Sequence, residues 1–304
     1  MANSLPDFVI IGATKAATTW LLRNLHAHPQ VFMPAGETEP HYFSRCYDKG
    51  EAWYRGHFAE AAAGRVVGEK SASYLPHPEV PARLHALLPE ARLVAQLRNP
   101  IERAYSDYCM HYRRGQVGRD IARYLDPAGT PIPRLLEDGL YFRHLSAFQA
   151  VFPNGHIKVI LYDDIRRDPA PVFREVCAHI GVEPRADEAL LNRRIKNKNA
   201  AVVPPLARRA LAPLKGAVQP FRHHQAFRFA RSLIARELDY PALTPPLRRQ
   251  LCTYYREDIA ALEGLLGRDL RHWLSEPCGA DGGGPTAPTA RTRHSGSGAG
   301  SRYT

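Results

Sequence analysis

The chain has 304 residues, 44% of them hydrophobic and 23% charged, which is globular composition with length for one large α/β domain or two small ones. No apolar run approaches the roughly 18 residues of a membrane span, and the N-terminus MANSLPDFVII lacks a basic n-region and a long apolar stretch, so neither a transmembrane helix nor a secretory leader is predicted. The formal net charge of +11 suits an anionic ligand, whether nucleic acid, membrane surface or phosphorylated cofactor, without choosing among them.

Asp7 to Leu22 reads DFVIIGATKAATTWLL. Phe8 to Ile11 is an apolar run of strand length, and Trp20, Leu21, Leu22 and Leu25 recur at helical spacing. Between them, Gly12 to Thr19 is a loop of small residues with one lysine, Lys15. Strand, small-residue loop and helix together turn backbone N–H groups and a helix N-terminus toward a phosphate. The loop is not that of a triphosphate enzyme. A G-x-x-x-x-G-K-[ST] motif starting at Gly12 would place glycine and lysine where Ala17 and Thr18 stand. The lysine comes early instead.

Pro29 ends the first helix, because the residue before a proline is pushed out of the α region. Glu37 to Phe43, ETEPHYF, is a turn followed by aromatics, one crossover past the first loop and so placed to return to the carboxyl edge of a sheet. A helix is predicted over 51–63 and a strand over 65–70, which runs into Ser71-Ala72-Ser73-Tyr74. The next helix spans 78–88 and opens on a proline. The strand at 92–97 stops at Arg98-Asn99-Pro100, and Asn99 caps the helix that follows. Residues 115–133 read as irregular surface, 141–152 as helix, 156–162 as strand and 169–179 as helix stopped near Gly181. Asp163-Asp164 is read as a capping turn and not as a magnesium site. This alternation defines an α/β fold, a parallel β-sheet flanked by helices. Beyond it, 192–199 (NRRIKNKN) is strongly basic, 208–235 mixes arginines with aromatics, and 247–270 is amphipathic at helical spacing. From Glu276 the Gly/Ser/Thr/Pro-rich composition predicts a disordered tail. The organisation is thus one domain over 1–275 and a tail over 276–304.

Arg98 falls at the carboxyl end of a strand, and Ser106 two turns into the next helix. In open α/β sheets that edge faces the ligand crevice. An arginine and a hydroxyl there can grip one phosphate, so with the Lys15 loop they imply two separated phosphate sites on one nucleotide. Cys46, Cys109, Cys177, Cys252 and Cys278 contain no C-x-x-C pair, which predicts reduced thiols, a cytoplasmic protein and no zinc site. His26 and His28 do not share a helix face, and no metal is expected.

GATKAATTWL, LRNPIERAYSDY and ILYDDIRRDP together resemble the PAPS-dependent sulfotransferases, with a likeness to the branch holding the heparan sulfate sulfotransferases and bacterial relatives. The resemblance covers about Asp7 to Asn199 and implies the P-loop-like sulfotransferase fold. It assigns the 5′-phosphosulfate to Lys15 with Ala16, Ala17, Thr18 and Thr19, and the 3′-phosphate to Arg98 and Ser106. The residues agree with it. A 3′-phosphate needs a second cationic pocket that an ATP enzyme lacks, and Lys15 at the bridging oxygen would stabilise the charge that develops there. In the same likeness Glu39-Pro40-His41-Tyr42-Phe43 matches a glutamate-x-histidine-aromatic-phenylalanine segment. That makes Glu39 the general base, His41 its neighbour or alternative, and Glu37 a further alternative. Thr38 departs from relatives with lysine before the glutamate. Lys70, in Glu69-Lys70-Ser71, is placed toward sulfate or acceptor. Tyr141 is placed near the nucleotide, and Lys196 and Lys198 in a basic loop that closes over it.

The implied reaction is in-line transfer of a sulfuryl group from PAPS to a hydroxyl or amine, releasing adenosine 3′,5′-bisphosphate. The acceptor is a small molecule, saccharide or lipid, with membrane contact only for a lipid and no nucleic-acid partner. Two other classes stay open on the residues alone. A P-loop kinase-like enzyme would bind ATP with magnesium. A basic nucleic-acid-binding module, using Arg222 to Arg231 with Phe221, Phe227 and Phe229, would bind with steep salt dependence.

Overall fold

The computed structural model describes residues 5–35, 39–193 and 238–275. Five strands build one sheet: β1 (Phe8–Gly12), β2 (Val31–Phe32), β3 (Val66–Lys70), β4 (Arg92–Leu97) and β5 (Ile157–Leu161). Their order is β2-β3-β1-β4-β5, and every pairing is parallel. The helices among the described residues are α1 (Thr18–His26), α2 (Glu51–Gly56), α3 (Val80–Leu87), α4 (Pro100–Arg113), α5 (Ile121–Leu125), α6 (Arg134–Glu137), α7 (Tyr141–Gln149), α8 (Tyr162–Arg167), α9 (Pro169–Ile180), α10 (Glu188–Leu191) and α11 (Pro245–Leu266).

β1 is buried along its whole length, as a central parallel strand covered on both faces must be. Successive side chains alternate between faces. Val9 and Ile11 enter one core with Leu84 of α3, Ile101 and Tyr108 of α4, Phe148 of α7 and Leu251, Tyr255 and Ile259 of α11. Phe8 and Ile10 enter the other with Trp20 and Leu25 of α1 and Phe173 and Val176 of α9. Gly68 pairs with Phe8 across β3 and β1. A Cβ on Gly68 would collide with the Phe8 ring and lie 2.5 Å from Met33 Sδ, so close packing requires glycine there.

Three readings of the chain are corrected, and one strand is added. Val31–Phe32 is a fifth strand, whose two residues are too few to show a period; it pairs with Val66 and Val67. The helix expected to reach residue 63 ends at Gly56, where the chain tightens into i→i+3 turns, with Phe58 N on Arg55 O at 3.0 Å. The supposedly irregular 115–133 contains α5, capped by Asp120 and burying Ile121 and Leu125. The Asp163-Asp164 pair lies inside α8 and caps nothing. Asp168 caps α9 instead. Asp163 accepts the Trp273 indole N–H at 2.6 Å, and Asp164 pairs with Arg268 at 2.6 Å.

Helix α11 is tied to α7 by polar contacts between residues more than a hundred positions apart. The Asp258 carboxylate on α11 accepts from Phe142 N and Arg143 N, both at 3.1 Å, and so caps the N-terminus of α7. Among the described residues, no helix is long and apolar enough to cross a membrane.

Candidate active site

The β1–α1 loop holds Lys15 and Ala17 at φ values of 71° and 69°. Non-glycine residues in the left-handed region need support from their surroundings, and each loop residue here has it. Ala13 N donates to Gln96 O at 2.7 Å. The Gln96 side-chain amide donates to Ala16 O. Thr14 Oγ1 donates to Ala72 O at 3.1 Å, and Arg98 Nη1 to Lys15 O at 3.5 Å. Gly12 lets the loop leave the sheet, since a Cβ there would lie 2.7 Å from Leu75 Cβ. Thr18 and Thr19 open α1, which has no acidic residue in its first turn and no side-chain cap. Its N-terminus is therefore a positive end, with Lys15 at its mouth.

Arg98 follows β4, the neighbour of β1, so both loops leave the same carboxyl edge. Its guanidinium lies 5.1 Å over the Tyr162 ring and its carbonyl accepts the Tyr141 hydroxyl at 2.8 Å. Asn99 next to it accepts from Ile101 N and Glu102 N, as a helix cap should, and also donates to Trp273 O at 2.9 Å. Glu102 Oε2 is 3.7 Å from Arg98 Nη2. Ser106 is half-buried, and its four-residue spacing from Glu102 puts the two on one side of α4. Tyr141 is fully buried, and burial pushes its hydroxyl up to about 12. It props the Arg98 backbone from behind instead of lining the crevice.

The Glu39 segment returns to this edge as expected. Glu39 Oε1 takes the Lys70 ammonium at 2.5 Å, and Oε2 takes Ala72 N at 3.0 Å. Lys70 is 4% exposed against 26% for the Glu39 side chain, so the lysine is buried under the carboxylate. His41 Nε2 lies 3.8 Å from Glu39 Oε2, and Nδ1 is 3.0 Å from Ser73 Oγ. Burial first, and the Arg45 guanidinium next, hold the His41 imidazole below its ordinary value, which favours the neutral ring. His41 has φ 52° and its N–H donates to Ser71 Oγ at 2.9 Å. Ser71 Oγ in turn donates to the buried Glu69 at 2.6 Å, which also accepts the Tyr54 hydroxyl at 2.5 Å. Burial raises the Glu69 carboxyl despite these donors.

The structure thus brings Lys15, Ala16, Ala17, Thr18, Thr19, Arg98, Ser106, Glu39, His41 and Lys70 to one edge of the sheet. Glu37, Lys196 and Lys198 lie outside the described residues. Gln96, Tyr162, Glu102 and Arg248 were not singled out from the sequence. Gln96 had a signal, as the one uncharged polar residue in the strand RLVAQL. Tyr162 and Arg248 had none, because their partners lie 64 and 146 positions away along the chain.

A family model described as "Sulfotransferase domain" matches residues 5–256. Heparan sulfate glucosamine 3-O-sulfotransferase 6 of Mus musculus is 33% identical over 186 residues, covering 59% of this chain and 53% of that protein. The bifunctional heparan sulfate N-deacetylase/N-sulfotransferase 4 of Mus musculus is 28% identical over 298 residues, covering 90% of this chain and 32% of that protein. This chain spans about half the length of the first of these relatives. A solved sulfotransferase from Alicyclobacillus acidocaldarius superposes with a TM-score of 0.64 at 25% identity, covering 89% of this chain and 99% of that one.

Proposed function

The chain belongs to the sulfotransferase family, and we propose that it moves a sulfuryl group from PAPS to a hydroxyl or amine, leaving adenosine 3′,5′-bisphosphate. Membership also favours this reading over a kinase-like enzyme; Arg222 to Arg231 with Phe221, Phe227 and Phe229, which carried the nucleic-acid reading, lie outside the described residues. The observation that carries the proposal is the pairing of two cationic loops on neighbouring strands. Lys15 and Arg98 stand at the carboxyl ends of β1 and β4 and are joined by the Arg98 bond to Lys15 O. Two such pockets fit a nucleotide with phosphates at both ends of its ribose, and PAPS when bound supplies the activated sulfuryl group.

Lys15, with the Ala17 amide and the Thr18 and Thr19 groups at the α1 N-terminus, holds the 5′ end and stabilises charge on the departing phosphate oxygen, while the Ala16 N–H, which donates to Ala13 O at 3.1 Å, braces the loop. Arg98 and Ser106 hold the 3′-phosphate. Glu39 accepts the acceptor's proton as its oxygen bonds to sulfur and the bond from sulfur to the bridging oxygen breaks. Lys70 and Ala72 N aim the carboxylate through both oxygens. His41, neutral and beside Glu39, is the second group able to take the proton. The relatives that carry heparan sulfate in their names put a saccharide first among acceptors for this chain, ahead of a lipid or other small alcohol.

Calorimetric titration tests the nucleotide assignment. Adenosine 3′,5′-bisphosphate should bind at least about tenfold more tightly than AMP, the worth of one charge-assisted contact set. Equal affinities would reject it. Incubation with PAPS and separate saccharide, phenol and lipid alcohols, read as a product mass gain, then ranks the acceptors.

A further inference from the structure

We propose that Arg248, in the first turn of α11, is a positioning residue that sets the charge of the 3′-phosphate pocket by holding Glu102 off Arg98. The inference rests on the reading above, in which Arg98 takes that phosphate. Glu102 is an acid in the first turn of α4, where the helix dipole favours it. It is nonetheless poorly placed for an anion pocket, since its Oε2 is 3.7 Å from Arg98 Nη2. Glutamate four residues after arginine can close on it, and the guanidinium fork matches a carboxylate as well as a phosphate. Glu102 is thus a built-in competitor for the ligand.

Arg248 counters it. Its Nη2 and Nη1 donate to Glu102 Oε1 at 2.7 and 3.1 Å. Its side chain is 10% exposed against 34% for Glu102, so the charge-assisted pair is shielded from water on the arginine side. Both bonds fall on Oε1, the oxygen turned from Arg98, and Oε2 stays beyond hydrogen-bond reach of Arg98. Two cations share one anion, so the cluster presents a single net positive charge to the phosphate. Without Arg248 that net charge is zero and the fork of Arg98 has a carboxylate to close on. The last described helix therefore tunes a pocket built by the first half of the chain.

The test is calorimetric titration of the full chain with adenosine 3′,5′-bisphosphate and with AMP, which lacks the 3′-phosphate. Arg248→Met should cut the affinity ratio of the two nucleotides about tenfold, as expected for one charge roughly 10 Å from an anion at an effective dielectric of about 20. Arg248→Met with Glu102→Gln restores the net positive charge and should return the ratio to within about threefold of the parent. Glu102→Gln alone should hold or raise it. A purely structural role would weaken both nucleotides alike and leave the double variant unrescued; either result overturns the inference. Should Arg248→Met show no cooperative unfolding transition, Glu102→Gln decides alone, and a ratio below about half the parent's overturns it. Arg98→Met separates the two layers. If the parent does not discriminate the nucleotides, or Arg98→Met still does, the nucleotide reading falls. If Arg98→Met abolishes discrimination and Arg248→Met leaves it intact, the role of Arg248 alone falls.

Discussion

Replacing Glu39 by glutamine removes a charge and a proton acceptor while keeping the shape of the side chain. The remaining amide oxygen can still accept from Ala72 N, now at 3.0 Å. The Lys70 ammonium, 4% exposed and 2.5 Å from the carboxylate, loses its counter-charge. Breaking a fully buried pair costs about 3–5 kcal/mol. The Glu39 side chain is 26% exposed, so solvent screens part of the pair and about 2 kcal/mol is the better figure. For a chain of this size that is roughly 3 °C in Tm. Turnover should fall further than stability implies, by about 10²–10⁴ at saturating PAPS, the range of a general base. Affinity for adenosine 3′,5′-bisphosphate should hold within about threefold, since Glu39 bonds to Lys70 and Ala72 and not to the Lys15 or Arg98 loops. Single-turnover product formation, calorimetry and thermal melts separate these effects. Lys70→Met is the control: it breaks the same ion pair but keeps the carboxylate, and so should lose similar stability with a smaller fall in turnover. Turnover of Glu39→Gln within threefold of the parent would refute the assignment of the base, whatever the melts show.

Lys15→Met should lower turnover about 10²–10³-fold with a smaller loss of nucleotide affinity, because the charge it meets develops in the transition state; equal losses in both would make Lys15 a binding residue only. Gly68→Ala should destabilise by about 1–3 kcal/mol through overpacking against Phe8 and Met33, read as a lower urea midpoint with unchanged slope. His41 gives a pH dependence of known sign. Its folded value lies below 6.5, so on acidification the unfolded chain takes up a proton that the folded chain resists. The stability it contributes is full above pH 6.5 and is lost as pH falls from 6.5 through the folded value. The Tm of the parent minus that of His41→Asn should therefore drop between pH 7.5 and 5.5, and a difference independent of pH would reject the assignment.

The frame of the proposed nucleotide side was legible because a strand, loop and helix start are local features. A strand, a small-residue loop and a helix N-terminus within Asp7 to Leu22 already place amides and a lysine together, and Arg98 sits at a strand end visible from RLVAQL. The alternation that fixes a parallel sheet was equally plain in the strands 66–70, 92–97 and 157–161. What escaped was either short or distant. Val31–Phe32 has no room for a period. Helix α5 is a single capped turn whose burial depends on packing against α4 and α6. Asp163-Asp164 looked like a cap because aspartates before a helix often are. Their true partners, Trp273 and Arg268, come from the other end of the chain, and nothing near residue 163 announces them. Tyr141 was expected near the nucleotide, but its side chain is buried and its hydroxyl donates to Arg98 O; depth of this kind is not resolved by spacing alone.

The proposed in-line transfer would need Glu39 and Lys15, some two dozen residues apart in the sequence, fixed against each other. The sheet supplies the fixed frame. Ala72 donates its N–H to Glu39 and accepts the Thr14 hydroxyl through its carbonyl, so one residue references both Glu39 and the β1–α1 loop. Ala72 follows β3, whose register on β1 runs Phe8 to Gly68, Val9 to Glu69 and Ile10 to Lys70. In that register Lys70 meets Glu39 from the strand end, while Glu69, facing the opposite way, anchors Ser71 and through it the His41 backbone. A slip of one residue would exchange the faces of Glu69 and Lys70, parting both buried side chains from their partners Tyr54, Ser71 and Glu39. Gly68 opposes that slip, because only there can β3 lie against the Phe8 ring. The glycine belongs to the packing of the core, yet it holds the β3 register that brings Lys70 and Ala72 to Glu39.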